Sequence, residues 1–183
     1  MLILVLITFA TIIPIEMEQS FWLAAYTKPR NEKKVYARLV EAGIETFLPL
    51  QKRLKQWSDR KKMVEEPLFN SYIFVRITQR QYYNVLNTAG VVRYVTFGGK
   101  AAVIPERQIE QVKQLLVQDI EIETVAEEFE AGTKVEVKFG GLKGIVGEIV
   151  EHSGKRKILL KIDHISHSLL VTLPVEYVTK TVE

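Results

Sequence analysis

The three histidines are the side chains in this sequence best suited to acid–base or metal chemistry, and none has the neighbours that such chemistry needs. The chain contains no cysteine, which excludes thiolate nucleophiles, disulfides and cysteine metal sites. His164 and His167 are three residues apart in a predicted strand, so they point to opposite faces. A Ser-His-Asp triad can be assembled from Ser153, His152 and Asp163 only by free choice, because no nucleophile-elbow motif is present. The sequence therefore predicts no catalytic residue, no metal site and no cofactor.

Four glycines form a second cluster, one that could in principle cradle a phosphate: Gly140, Gly141, Gly144 and Gly147. No Gly-Lys-Ser/Thr sequence accompanies them, and no helical segment follows to offer its N-terminus to an anion. We interpret these glycines as tight turns and positions of close backbone approach in a β-structure.

Basic side chains are concentrated between Lys28 and Lys62, where eleven cations face four acids and leave a local charge of +7, against +3 for the whole chain. Arg30, Lys34 and Arg38 recur every four residues, which predicts one face of a helix. Trp57 lies within the second part of the cluster, where an exposed ring could stack on an unpaired base. Two interpretations stay open: a surface that contacts phosphates, and a solvated helix face followed by a solubilising loop.

Residues 67–75, PLFNSYIFV, form the most aromatic strand of the chain. The two-residue period of a strand places Phe69, Ile73 and Val75 on one face and Tyr72 and Phe74 on the other. Because both faces are apolar, each needs a cover. One can be the core of the domain, and the other can be either core or the groove of a partner.

These residues must be positioned by two folding units. Strands are predicted at 21–27, 44–50, 68–77 and 91–97, a hairpin at 51–66, and helices after Pro29, at 79–88 and at 105–118. Helices packed on one antiparallel sheet give an α+β domain. Five short strands between 134 and 180, separated by glycines and polar turns, predict a small closed barrel that leaves no strand edge exposed.

The predicted boundaries are a leader at 1–16, a first domain at 17–118, an acidic linker at 119–130 and a second domain at 131–183. The leader is apolar but shorter than the roughly 20 residues that cross a bilayer, and it lacks the basic start of a signal peptide. We interpret it as a start codon assigned too far upstream, with Met17 as the true start. The alternative is an uncleaved membrane anchor.

In order and spacing, these segments resemble the NusG family of transcription elongation factors. Trp22, residues 26–30 and Glu32 resemble the opening Trp-x-x-x-Tyr-x-x-x-Arg-x-Glu pattern of that family, and residues 67–75 resemble its Phe-Pro-Gly-Tyr-x-x-Val motif. Residues 90–95 with Gly98 and Gly99 resemble its Gly-Val-x-x-Phe-Val-Gly stretch. Residues 132–149, which include the four glycines, are similar to a KOW motif. The resemblance implies an N-terminal NGN-type domain, which is an antiparallel sheet with flanking helices, and a C-terminal five-stranded KOW barrel.

The resemblance implies a cytoplasmic monomer that is not an enzyme. It would act by binding RNA polymerase and holding it in its elongating state. Its aromatic patch would bind the clamp helices of the largest polymerase subunit. The KOW domain would recruit NusE, the ribosomal protein, or Rho. The patch would comprise Pro67, Phe69, Tyr72 and Phe74, and the surface facing the non-template DNA strand would comprise Lys28, Arg30, Lys34, Arg38, Trp57, Arg60 and Lys61.

Within the family, residues 56–62 followed by 67–69 look most like UpxY-type paralogs, the RfaH-like antiterminators dedicated to capsular polysaccharide operons. Asn70 and Ser71 replace the usual Pro-Gly, and residues 81–83 read Gln-Tyr-Tyr where an RfaH-like His-Thr-Thr would stand. The alternatives are a general NusG-like factor and a ribosome-associated RNA-binding protein with a KOW domain. The ribosomal alternative has no use for an uncharged aromatic patch.

Overall fold

The computed structural model describes residues 19–57, 60–118, 120, 122–125, 132–138, 140–152, 154–162, 165, 167–172 and 177–180. The predicted leader at 1–16 lies outside them. The described residues form an α+β unit with an antiparallel sheet, followed by a second unit built of strands, as the sequence predicts.

The first sheet has its central strand, β1 (Phe21–Thr27), between β5 (Tyr72–Ile77) and β6 (Val91–Tyr94). The short strand β2 (Glu45–Phe47) borders β5, and β9 (Val103–Ile104) pairs with the start of β1. All of these pairings are antiparallel. Strands β1 and β5 are apolar on both faces, so both faces of the sheet require a cover.

Helices cover the two faces differently. On one face, α1 (Glu32–Glu41) and α2 (Tyr82–Leu86) insert Val35, Leu39 and Val85 against Leu23 and Ile73. On the other face lies α3 (Glu106–Val117), whose buried apolar side chains include Ile109, Val112 and Leu115. Helix α1 ends where the sequence predicts, because Gly43 takes a left-handed φ of 72° and lets the Ile44 amide donate to the Leu39 carbonyl over 2.9 Å.

Two hairpins project from the first domain. The longer one pairs β3 (Leu50–Gln56) with β4 (Lys61–Pro67) over its full length, in the region where a polar hairpin is predicted. The shorter one pairs β7 (Thr96–Phe97) with β8 (Lys100–Ala101) across Gly98 and Gly99, both with positive φ. The predicted strand at 91–97 is thus divided between β6 and β7.

The second unit contains the five predicted strands: β11 (Thr133–Val137), β12 (Val146–His152), β13 (Lys155–Lys161), β14 (Ser168–Val171) and β15 (Val178–Lys180). A sixth strand, β10 (Ile122–Val125), lies inside the predicted acidic linker and pairs with β14. The strand order is β10-β14-β13-β12-β11-β15. Composition alone indicated a solvated linker there, but Ile122 is buried and Glu123 is paired with the buried Lys157 of β13.

Glu32 connects the start of α1 to the turn before β5. Its side chain is buried, and its Oε1 accepts a hydrogen bond of 2.8 Å from the Ser71 amide. Ser71 has a φ of 64°, a left-handed conformation that costs free energy in a residue other than glycine. The Ser71 carbonyl in turn accepts a bond of 2.9 Å from the Thr27 amide. The turn that precedes Tyr72 is therefore fixed from both sides.

We expect Glu32→Ala to lower the free energy of unfolding by about 1–3 kcal/mol, because the Ser71 amide would lose its acceptor in a partly buried place. Glu32→Gln keeps an acceptor oxygen and should cost less. Glu41→Ala, at the exposed end of the same helix, serves as the control for helix propensity. Urea unfolding of the three variants measures the difference, and equal effects of Glu32→Ala and Glu41→Ala would contradict this role.

The Lys157–Glu123 pair should make the second unit sensitive to acid. The hydrogen bond from Lys157 holds the pKa of Glu123 below its ordinary value of 4.5, with smaller contributions from the charges of Lys157, His152 and Arg53. A carboxyl whose pKa is lower in the folded state stabilises that state above its unfolded pKa and loses this effect as the pH falls through the folded pKa. We expect Glu123→Gln to flatten the fall in melting temperature between pH 5 and more acidic conditions. A parallel fall in both proteins would contradict it.

Candidate functional site

The face of the first sheet that carries α3 holds the buried Trp22 and five further aromatic rings. Tyr26 lies opposite Tyr72, with ring centres 4.6 Å apart and a hydroxyl–hydroxyl hydrogen bond of 2.8 Å. Phe47 lies opposite Phe74 at 6.0 Å, and Phe69 meets Phe74 edge-on at 5.9 Å. We call these five residues the aromatic face. Cross-strand register brings together the members on β1, β2 and β5.

Phe69 lies on the aromatic face, although the two-residue period of a strand predicts the opposite face for it. The period places Phe69 with Ile73 and Val75, but those two side chains pack under α1, on the opposite side of the sheet. Strand β5 begins only at Tyr72, and the left-handed Ser71 breaks the alternation before it. That prediction was wrong for Phe69, because a strand period holds only within a continuous strand.

The second unit covers the aromatic face. The imidazole of His167 packs edge-on against the ring of Tyr72, 5.8 Å away, and the Thr124 hydroxyl donates to the Leu68 carbonyl over 2.9 Å. Phe69 and Phe74 belong to a continuous apolar core that takes in side chains of both units. From the second unit it includes Ile122, Val135, Val137, Leu142, Ile158, Leu169 and Val171. Phe69, Tyr72 and Phe74 are consequently buried, and Pro67 is half-buried.

Polar contacts between the two units are few and lie at the rim. Gln114 of α3 donates from Nε2 to the Gly141 carbonyl at 2.7 Å and to the Lys143 carbonyl at 3.3 Å. Gln51 donates to the Ile122 carbonyl at 3.2 Å. All three are neutral hydrogen bonds, each of which contributes about 1 kcal/mol net. The described contact between the units is thus an apolar core with a thin polar rim.

The four clustered glycines occupy turns and close approaches of the second unit, as interpreted from their spacing. Gly140 and Gly141 open a 3₁₀ turn that ends at Leu142, and Gly144 has a φ of 89°. At Gly147 a β-carbon would lie 2.8 Å from the Leu159 carbonyl oxygen, closer than real contacts allow. No helix begins at this cluster in the described residues, so it offers no phosphate loop.

The predicted row of cations on α1 is only partly correct. The helix begins at Glu32, so Lys28 and Arg30 lie in the turn before it, and Arg30 has a φ of 60°. Lys34 and Arg38 do lie on the helix, one turn apart. Arg38 donates from Nη1 to the Ala89 carbonyl at 2.6 Å. Arg30, Lys34 and Arg38 therefore do not form one continuous helical face.

A cleft of about 750 Å³ brings some of these cations together with others that the predicted site omits. Arg30 and Lys34 line it beside Arg53 and Lys55 of β3, and Thr124 and His167 of the second unit line its far side. Arg53 and Lys55 could have been found from the sequence, because alternate residues of a predicted hairpin strand share a face. Lys28, Arg38, Trp57, Arg60 and Lys61 are exposed but lie outside the cleft lining.

Within the described part of the chain, no three His, Asp or Glu side chains converge in an arrangement that could hold a metal ion. His164 lies outside the described residues, and His167 packs on Tyr72. The helices among the described residues are all too short or too polar to span a membrane.

Comparison with known proteins agrees with this geometry. Residues 20–113 match the family model described as "Transcription termination factor nusG". The "Transcription termination/antitermination protein NusG" of Staphylococcus aureus strain Mu50, and that of strain N315, are each 24% identical over 172 residues, which is 87% of this chain and 94% of the relative.

Among solved structures, the one described as "Domain interaction in Thermotoga maritima NusG" aligns with a TM-score of 0.54 at 23% identity, over 88% of this chain and 97% of that one. At this identity the likeness shows the shared fold. The residues that match the family model make up more than half of the sequence and include the aromatic face and the basic cluster. The chain belongs to the NusG family.

Proposed function

We propose that this protein is a NusG-type transcription elongation and antitermination factor that binds RNA polymerase through the aromatic face. The observation that carries the proposal is that face itself: five rings assembled on one side of the NusG domain, with Arg93 over the ring of Tyr26 and Lys113 over the ring of Phe47. Large apolar anchors of this kind dominate the binding energy of protein interfaces once they are desolvated. The curated Staphylococcus aureus relatives bear the name transcription termination/antitermination protein, which supports the same function.

The partner surface that fits is the clamp helices of the largest polymerase subunit, with the non-template DNA strand nearby. Binding that favours the closed, elongating clamp over the paused state would suppress pausing or termination without covalent chemistry. The second unit, as a KOW domain, would recruit NusE or Rho. Dedication to a polysaccharide operon is the finer proposal, supported by residues 56–62 and by Asn70 and Ser71 in place of Pro-Gly.

A direct test is an elongation assay with purified polymerase on a template that carries a strong pause site and a terminator. The full chain should shorten the pause and raise read-through, and no change in either would count against the function. Chromatin immunoprecipitation then separates the two versions of the proposal. Occupancy limited to one polysaccharide operon indicates a dedicated factor, and occupancy over most transcribed genes indicates a general one.

Polymerase binding requires the second unit to move away, because Tyr72 and Phe69 are otherwise buried. We expect His167→Ala combined with Gln114→Ala to strengthen binding by about tenfold, since each substitution weakens only the covered state and raises the fraction of competent molecules. Glu151→Ala, an exposed position on β12, is the control. Binding is measured by interferometry on immobilised polymerase. If a cross-unit fluorescence distance shows opening and binding does not improve, the aromatic face is not the docking surface.

In the His167→Ala, Gln114→Ala background, we expect Tyr72→Ala to weaken polymerase binding by about 2 kcal/mol or more, as truncation of a buried aromatic anchor does. Tyr72→Phe keeps the ring and removes the hydroxyl that bonds to Tyr26, so it should retain most of the binding. Melting temperatures of both variants must be recorded alongside. Unchanged binding with a lowered melting temperature would assign Tyr72 to the core alone.

A further inference from the structure

The cleft of about 750 Å³ has walls from both units. One wall comes from α1 and the turn before it, with Arg30 and Lys34, and a second comes from the long hairpin, with Arg53. The far wall comes from the second unit, with Thr124 and His167. Small-molecule sites in proteins are clefts of roughly 300–1,000 Å³ that lie preferentially between domains. The size and the place of this cleft are therefore those of a small-molecule site.

Positive charge prevails in the cleft, because its acids are engaged or point elsewhere. The lining includes five cations and three acids: Arg30, Lys33, Lys34, Arg53, Lys55, Glu32, Glu65 and Glu66. The Glu32 carboxylate is buried and accepts the Ser71 amide. Glu66 forms an ion pair with Lys55. Strand alternation turns the Glu65 side chain to the hairpin face opposite to that of Glu66.

Three of the five cations stay available for a ligand. Lys33 is held by the Glu65 carbonyl, to which its Nζ donates over 2.8 Å. Arg30, Lys34 and Arg53 form no ion pair within the described part of the chain. A planar guanidinium binds two oxygens of one phosphate in parallel, and a lysine ammonium binds phosphate as a point charge. These three side chains therefore favour a phosphorylated ligand with two or more negative charges.

The far wall favours a small ligand over a long one. A polyanionic chain bound along the hairpin would need no contact with Thr124 or His167, whereas a small molecule that fills the cleft touches both units. Pro67 adds a half-buried apolar side chain to the lining, and Asn70 adds an exposed amide that can donate and accept. Such a lining suits the organic part of a phosphorylated metabolite.

We propose that the cleft binds a phosphorylated small molecule, with its phosphates held by Arg30, Lys34 and Arg53 and with Thr124 and His167 closing its far side. Because the contacts with both units exist only while the units are together, the ligand binds the covered state better and shifts the equilibrium toward it. The binding itself goes beyond the proposed function, and only its effect on polymerase rests on that function.

Isothermal titration calorimetry of the full chain tests the cleft with three probes: inorganic pyrophosphate, glucose 1,6-bisphosphate and ADP. The probes distinguish an inorganic anion from a sugar phosphate and a nucleoside phosphate. At least one should bind with a dissociation constant below about 1 mM. Lys34→Ala, Arg53→Ala should weaken that binding about tenfold or more, because hydrogen bonds to charged groups are lost.

The hairpin supplies a control of equal charge. Lys52→Ala, Lys61→Ala also removes two cations, but both lie on the hairpin face opposite to that of Arg53, and neither lines the cleft. Binding of the probe should stay unchanged. Equal losses in the two double variants would mean non-specific attraction to a basic surface and would overturn the site, as would the absence of binding by all three probes.

The second unit supplies a matched pair of histidines, because His167 lines the cleft and His152 of β12 does not. His167→Ala should weaken binding of the same probe by about tenfold, since the wall loses a hydrogen-bonding ring. His152→Ala should leave it unchanged. An unchanged affinity in His167→Ala would place the ligand on the hairpin and α1 alone and would overturn a site shared by the two units.

Under the proposed function, the bound ligand opposes polymerase. A ligand that binds only the covered state, at a hundred times its dissociation constant, favours that state by about a hundredfold. Polymerase binding, measured by interferometry with and without the probe, should therefore fall by up to about that factor. Polymerase binding that a saturating probe leaves unchanged would overturn the preference for the covered state.

The proposed function and this inference can fail separately. Probe binding that depends on Arg53 and on His167, in a chain that does not bind polymerase, would sustain the cleft site and remove the elongation role. Polymerase binding by a chain that binds none of the three probes would do the reverse.

Discussion

A sheet that is apolar on both faces must be covered on both, and this requirement organises the whole molecule. Strands β1 and β5 bury Leu23 and Ile73 under α1 and α2 on one side, where the cover is local in sequence. On the other side α3 covers only part of the aromatic face. The remaining cover comes from the second unit, so the two units share one core because the first cannot bury its own rings.

The same requirement bears on the proposed function, because it means that the aromatic face is already assembled in the absence of a partner. Cross-strand pairing on β1, β2 and β5 fixes the rings, and the turn tied by Glu32 fixes Phe69 and Tyr72. Under the proposed function, rings held in this way would lose little further conformational entropy when the polymerase replaced the second unit. The second unit and the proposed partner would compete for the same apolar area, and the hydrogen bonds of Gln114 and Gln51 would favour the covered state.

Much of this architecture is local and could be predicted from the sequence. The cap at Gly43, the helix after Pro105, the long hairpin and the five strands of the second unit all depend on short-range patterns. The face of Phe69 could not be predicted, because a serine gives no sign that it will adopt a left-handed φ. The buried Lys157 that pairs with Glu123 lies far along the chain from β10, so the acidic segment resembles a linker.

The candidate site could likewise be predicted from the sequence only in part. Residue types indicate the aromatic strand and the basic cluster, and Trp57 lies exposed within that cluster. Which cations lie together depends on the start of α1 at Glu32 and on the register of the hairpin, which brings Arg53 and Lys55 beside Arg30. The coverage of Tyr72 by His167 joins residues nearly a hundred positions apart, and no local pattern predicts it.

Strand β10 also sets how far the two units can separate. While β10 stays paired with β14, only the four residues between Val117 and Ile122 join them, a reach of about 17 Å when fully extended. If β10 peels away, the tether runs from Val117 to Thr133 and reaches about 55 Å. The effective concentration of one unit at the other would then fall on the order of tenfold. Under the proposed function, this four-residue strand would set how strongly the second unit competes with the polymerase for the aromatic face.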